Sequence, residues 1–231
     1  MMVFKCRATL AVLTVGLTML TGGSIFSAEK DSTTTVPATV SFAGVEDPIA
    51  IDRLNPTDAK TKDPAAPANM RKAGMPLAID YASPWRFDTQ KVSLMDRTYS
   101  AERDVFAGNP VANHVQVTDQ REKLDGWELQ IRQATPFKHA TGTELKGAKL
   151  HVGEMSVKSA IEGTLVMPSK SAITLNGDFA RLANAKAGDG YGTSSLSMAD
   201  VKLTVPGQVK KLAGNYSSEV VYKLLAAPTG A

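Results

Sequence analysis

Cysteine is nearly absent from this sequence of 231 residues, which contains one cysteine, Cys6, close to the N-terminus. One thiol cannot form an intrachain disulfide or a multi-thiolate metal site. Histidine is also scarce, and His114, His139 and His151 lack the short spacing that brings two imidazoles to one metal ion. We therefore expect a domain that folds without disulfides, metal ions or other cofactors.

Excess charge of one sign is missing as well. The chain has 26 Lys and Arg residues against 23 Asp and Glu residues, a net charge of +3 at neutral pH. That charge is too small to hold a nucleic-acid backbone by electrostatic attraction, so nucleic-acid binding is disfavoured. Long hydrophobic runs are also absent, because the main apolar segment, residues 8–20, is shorter than the roughly 20 residues of a bilayer-spanning helix. We expect no membrane span in the mature protein.

The N-terminus has the pattern of a secretory signal peptide. Lys5 and Arg7 precede an uncharged segment that runs to Ala28 and ends in small residues. We assign residues 1–28 to this signal peptide, with cleavage close to Ala28 and with a membrane anchor as the alternative. Cys6 and both basic residues leave with such a leader, so the exported chain is nearly neutral and has no cysteine for a lipid anchor.

Residues 29–75 are predicted to form an N-terminal segment and a flexible linker. The stretch 52–76 is rich in Ala, Asp and Lys and has almost no apolar periodicity. Four prolines punctuate it: Pro56, Pro64, Pro67 and Pro76. Such a composition buries too little apolar surface to offset the entropy lost on ordering. Earlier in the segment, residues 36–45 offer one possible short strand. The folded domain is then expected to span residues 76–231.

Beyond residue 76 the dominant pattern is alternation of apolar and polar residues, which predicts β-strands. In the clearest case Trp127, Leu129 and Ile131 point one way, and the polar residues between them point the other way. Further segments show the same alternation: Leu77, Ile79 and Tyr81; Val115 and Val117; Val201, Leu203 and Val205; Val220, Tyr222 and Leu224; and residues 149–155, 161–167 and 172–176. Eight or more short strands without a long amphipathic helix predict two packed antiparallel sheets, an Ig-like β-sandwich.

Catalytic motifs are sparse in this domain. The serines form neither a G-x-S-x-G elbow nor an S-x-x-K pair in a fitting context. The glycine-rich residues 186–192 lack the spacing of a phosphate loop, so we interpret them as a flexible loop before a strand. A glycosidase pair could come from four nearby acids, Asp119, Glu122, Asp125 and Glu128, but the basic residues around them favour a solvated turn of mixed charge. We predict that the protein is not an enzyme.

A specific set of motifs nevertheless runs through the domain in a fixed order. Residues 115–121 join one strand through a polar turn to a second strand that contains Trp127-Glu128-Leu129. Related segments precede and follow this pair, at residues 87–93, 145–150 and 216–228. Together they resemble the WxL domain of Gram-positive surface proteins over about residues 77–228. One departure is Tyr222-Lys223-Leu224, which stands where relatives carry a second Trp-x-Leu.

The resemblance implies a secreted, non-catalytic protein that attaches non-covalently to the cell wall at the extracellular surface. Peptidoglycan is the implied wall polymer, and other surface proteins of a WxL-type complex are the implied partners. The resemblance makes Trp127, Leu129, Tyr222 and Leu224 candidate wall-binding or motif residues, although their apolar strand faces also fit a sandwich core. The alternative is a protein–protein interaction module of a multi-protein cell-surface complex that does not bind glycan. Because no L-P-x-T-G pattern occurs near the C-terminus, we expect any surface retention to be non-covalent.

Limited proteolysis of the full chain should cut first within residues 52–76, because few apolar side chains there can join a core. A product that begins near residue 76 should then persist, and mass spectrometry of the early digestion products checks this. A first cut inside residues 115–133 would contradict the predicted domain boundary.

Overall fold

The architecture consists of β-strands in residues 75–226, the part of the chain that the computed structural model describes. The strands in chain order are β1 Leu77–Ala82, β2 Arg97–Ser100, β3 Asp104–Phe106, β4 Asn109–Val111, β5 Asn113–Asp119, β6 Trp127–His139, β7 Lys149–Ser159, β8 Val166–Pro168, β9 Ala172–Thr174, β10 Ala180–Ala185, β11 Gly192–Val205 and β12 Tyr216–Leu225. Within these residues there is no helix capable of crossing a membrane. The predicted signal peptide, the linker up to residue 74 and the possible strand at residues 36–45 lie outside the described residues.

The strands form two main antiparallel sheets. In the six-stranded sheet, β1, β5, β11, β7 and β9 pair in that order, and β2 also pairs with β11. In the four-stranded sheet the order is β12, β6, β10 and β8, while β3 and β4 form a separate hairpin. Both sheets contribute to one buried apolar cluster, which includes Val115, Val117, Leu150, Val152, Leu182, Leu196, Met198 and Leu203. This arrangement confirms the predicted all-β class and is consistent with a β-sandwich.

The alternating sequence pattern accounts for which residues face the core. Trp127, Leu129 and Ile131 of β6 are no more than 1 % exposed. Val201 and Leu203 occupy the same kind of position in β11 and are also buried. Successive side chains of a strand point to opposite faces, so a period of two in the sequence becomes one apolar face in each sheet.

The predicted common face of Leu77, Ile79 and Tyr81 is wrong at Tyr81, because β1 contains a bulge. Its pairing with β5 shifts between Ile79 and Tyr81, so that Ile79 lies opposite Val117 and Tyr81 lies opposite Gln116. Neighbouring residues of β5 face opposite sides of the sheet, and the extra residue therefore turns Tyr81 away from the face of Ile79. The tyrosine hydroxyl donates instead to Asp104 Oδ2 at 2.8 Å.

A second prediction, a strand through residues 161–167, is also corrected. Only Val166–Pro168 forms a strand there, and it pairs with β10. Gly163 has a φ of +80°, a left-handed conformation that turns the backbone before that strand begins. Ile161 and Leu165 lie outside the strand and remain exposed.

A partly buried ion pair connects the end of β5 to the four-stranded sheet. The Arg121 guanidinium contacts both carboxylate oxygens of Asp119, at 2.9 and 2.7 Å. It also donates to the carbonyl of Gly126, just before β6, and to the carbonyl of Ala226, just after β12. The hydrogen bond to Asp119 raises the pKa of Arg121, so the guanidinium stays charged. One side chain therefore joins three chain segments.

Replacing Arg121 with Met should destabilise the fold by about 3–5 kcal/mol, because the Asp119 carboxylate is fully buried and loses its countercharge. Chemical denaturation of the full chain measures the change in unfolding free energy. Lys202→Met is the matched control, since its ion pair with Asp200 lies at the surface and should contribute little to stability. Equal unfolding midpoints for the two variants would contradict a structural role for the Arg121 bridge.

Candidate functional site

Two short motifs from distant parts of the chain lie on neighbouring, paired strands. We call Trp127-Glu128-Leu129 in β6 the first triplet and Tyr222-Lys223-Leu224 in β12 the second triplet. The two strands are neighbours, with Leu224 opposite Leu129 and Tyr222 opposite Ile131. The structure therefore brings the sequence-predicted residues together in one sheet, although their environments differ.

The apolar residues of the first triplet are core residues. Trp127 and Leu129 are each 1 % exposed. The indole Nε1–H of Trp127 donates to the carbonyl of Gly190 at 3.2 Å, so its single polar group is satisfied within the protein. No face of this ring is open to a ligand in the described structure.

A glycine-rich loop covers the indole of Trp127. Gly190 has a φ of +81°, and a Cβ atom at this position would lie 2.5 Å from Trp127 Nε1. Only glycine combines this backbone conformation with so close an approach. The sequence interpretation as a flexible loop before a strand missed this packing role. The sequence signal that could have indicated this packing role is the Gly repeated at positions 188, 190 and 192. In the structure all three glycines have a positive φ.

Glu128, in the middle of the first triplet, points away from the core but is 1 % exposed. Arg181 Nε donates to one of its carboxylate oxygens at 2.7 Å, and Gln130 Nε2 donates to the other at 2.6 Å. Asp119 is likewise bound by Arg121. Two of the four acids considered for a glycosidase pair therefore serve as partners of arginines.

A cavity of about 500 Å³ lies beside the second triplet. Its wall combines the last residue of β1 and the segment after it with residues of β6, β7 and β12: Ala82, Ser83, Pro84, Trp85, Phe87, Phe137, Leu150, Tyr216, Ser217, Ser218, Val220 and Tyr222. Five of these side chains are aromatic, and none of the described lining residues is charged. This volume lies within the range of about 300–1,000 Å³ that small-ligand sites occupy.

Contacts with neighbouring groups hold several of the aromatic rings in place. Phe87 and Phe137 pack edge to face, with ring centroids 6.2 Å apart. Tyr216 packs against His139, and its hydroxyl oxygen accepts a hydrogen bond from the backbone N–H of Leu212 at 2.7 Å. The rings therefore form a largely fixed surface.

Two buried polar groups in this cavity wall have no hydrogen-bond partner among residues 75–226. They are the indole Nε1–H of Trp85 and the hydroxyl of Tyr222. Burial raises the pKa of the Tyr222 hydroxyl, so the group remains protonated and able to donate. Buried donors without partners are uncommon in folded proteins because each loses its hydrogen bonds to water.

Leu224, the last residue of the second triplet, lines another cavity. This cavity of about 540 Å³ is mainly apolar and borders Arg121: its wall is formed by Met75, Pro76, Leu77, Ala78, Ile79, Arg121, Leu224 and Ala226. Tyr222 and Leu224 are only half-buried, in contrast to Trp127 and Leu129. The second triplet is thus the one that reaches cavity surfaces.

A Ser–His–Asp cluster lies next to the aromatic cavity but lacks the geometry of a catalytic triad. Ser83 Oγ and Asp104 Oδ2 both approach Nδ1 of His114, at 3.2 and 3.8 Å. In a triad the nucleophile and the orienting acid must contact opposite nitrogens of the imidazole. No three His, Cys, Asp or Glu side chains of residues 75–226 are grouped as metal ligands.

Comparison with known families identifies the domain type. The family model described as "WxL domain surface cell wall-binding" matches residues 29–228. The match begins before residue 76, and our boundary between linker and domain stays a prediction. Comparisons with curated proteins and with solved structures give no match.

Gly190→Ala should destabilise the protein by about 2–5 kcal/mol, because the methyl group adds left-handed backbone strain to overlap with Trp127. The matched control is Gly188→Ala, which has a similar φ of +88° but no atom within 4 Å of the added Cβ. That variant should lose only about 1–2 kcal/mol from strain. Thermal unfolding followed by tryptophan fluorescence compares them, and equal losses would show that the loop does not pack on the indole.

Proposed function

The chain belongs to the WxL family of cell wall-binding surface domains, and we propose that it is exported and binds the peptidoglycan of the Gram-positive cell wall non-covalently. The observation that carries this proposal is the family match, which extends over residues 29–228. Association with the cell wall at the cell surface follows from that membership. Export, the Gram-positive wall and peptidoglycan as its bound polymer are the finer parts of the proposal.

The proposed role requires binding and no catalysis. Asp119 and Glu128 are held by arginines, and the described aromatic cavity wall has no charged group that could act as an acid or base. General acid–base chemistry needs such a group within reach of the reacting atoms. These features support a protein that holds a wall polymer without cleaving it.

We assign different roles to the two triplets. Trp127 and Leu129 act through the fold, because both side chains are buried in the core. Tyr222 and Leu224 are better placed to contribute to binding, because both line cavities. On this proposal the departure of the second triplet from Trp-x-Leu affects the binding surface more than the core.

A second candidate function is a protein–protein interaction module within a multi-protein cell-surface complex. An exposed apolar segment favours it, since Val92, Leu94 and Met95 are 64 %, 84 % and 70 % exposed. Apolar side chains clustered at the surface are characteristic of protein interaction sites. This candidate needs no direct contact with glycan.

Sedimentation with purified, protein-free peptidoglycan tests the proposal. The full chain should pellet with the polymer and stay in solution without it, and washing with salt should leave most of it bound because few charges are involved. A double variant, Leu94→Ser with Met95→Ser, is the control that removes the exposed apolar segment and should still pellet. If the chain pellets only after a second surface protein is added, direct peptidoglycan binding is wrong and the interaction module is favoured.

A further inference from the structure

The aromatic cavity beside the second triplet has the features of a carbohydrate-binding site. We propose that it binds an uncharged, N-acetylated aminosugar of the glycan strand, with Trp85 and Tyr222 donating hydrogen bonds to the acetamido carbonyl or ring oxygens. This inference rests on the proposed function and assigns it a location and a ligand chemistry. Neither triplet by itself defines this site, because Trp85 belongs to the segment after β1.

The first argument is the shape and material of the wall. Trp85, Phe87, Phe137, Tyr216 and Tyr222 surround a space of about 500 Å³, within the range of about 300–1,000 Å³ typical of small-molecule sites. Pyranose rings present one face of C–H groups, and aromatic rings pack against such faces. Since three of the rings, Phe87, Phe137 and Tyr216, are held by their neighbours, little ordering entropy is lost there when a sugar binds.

The second argument is the pair of unsatisfied donors. Trp85 Nε1–H and the Tyr222 hydroxyl belong to lining side chains, are closed to solvent and have no partner among the described residues. An acetamido carbonyl is an uncharged acceptor with two lone pairs, so it can accept from both donor types. A ligand that supplies this acceptor, reached by a small shift of the Trp85 and Tyr222 side chains, satisfies groups that the protein itself leaves without a hydrogen bond.

The third argument is the absence of charge from the described lining residues. Peptide carboxylates and polymer phosphates would enter such a wall without a countercharge, which is unfavourable in a partly desolvated site. Ser217 and Ser218 add neutral polar residues to the lining. The lining therefore favours the sugar part of the wall over its peptide or phosphate parts.

Isothermal titration calorimetry of the full chain with a tetramer of N-acetylglucosamine tests the inference. Binding is expected, whereas a glucose tetramer, which has the same ring faces but no acetamido group, should bind at least about tenfold more weakly. Trp85→Phe and Tyr222→Phe keep an aromatic ring and remove one donor each. Each variant should weaken binding by about three- to tenfold, the effect of one lost hydrogen bond. Tyr191→Phe, in the exposed loop before β11, is the control and should leave affinity unchanged.

Thermal unfolding separates a binding role from a structural one. Removing an unsatisfied buried hydroxyl should leave the melting temperature of Tyr222→Phe unchanged or raise it. A fall in melting temperature for that variant would overturn the inference, as would unchanged affinity in both donor variants or equal binding of the two tetramers. If the chain pellets with peptidoglycan but does not bind the aminosugar tetramer, this site is wrong while the proposed function stands. Failure of the chain to pellet would instead contradict the proposed function.

Discussion

The Asp119–Arg121 bridge is the interaction on which the arrangement of the two sheets depends. Asp119 ends β5 in the six-stranded sheet, whereas Gly126 and Ala226, whose carbonyls accept from Arg121, flank β6 and β12 in the four-stranded sheet. A buried carboxylate requires a countercharge, and a guanidinium with five N–H donors can satisfy several acceptors at once. One guanidinium therefore ties the end of β5 to the start of β6 and to the end of β12.

The sequence predicts those parts of the fold in which local pattern and burial agree. The apolar face of β6 is an example, because the alternation of Trp127, Leu129 and Ile131 is uninterrupted and all three side chains are buried. Prediction from the alternating pattern fails where strand pairing shifts register, as at the β1 bulge that turns Tyr81 to the other face. The sequence does not predict β10, because its mostly small and polar residues show no strong alternation. The segment forms a strand because it pairs on both sides, with β6 and with β8.

The candidate site was only partly visible in the sequence. The motif resemblance identified Tyr222 and Leu224, but it gave equal standing to Trp127 and Leu129, which the fold buries. Trp85 and Phe137 carry no motif of their own, and they reach the cavity only because the segment after β1 lies across from β6 and β12. A cavity assembled from such separated segments depends on tertiary packing, which short-range patterns do not contain.

The long separation between the pieces that Arg121 joins has a consequence for how the protein matures. Its contact with Ala226 closes a loop of 105 residues, and β12 is synthesised after every other described strand. A polypeptide that emerges N-terminus first from a ribosome or translocation channel therefore has β6 without its edge partner until synthesis passes Ala226. During this interval β6 lacks its pairing with β12, and the cavity wall is completed only when the residues of β12 arrive.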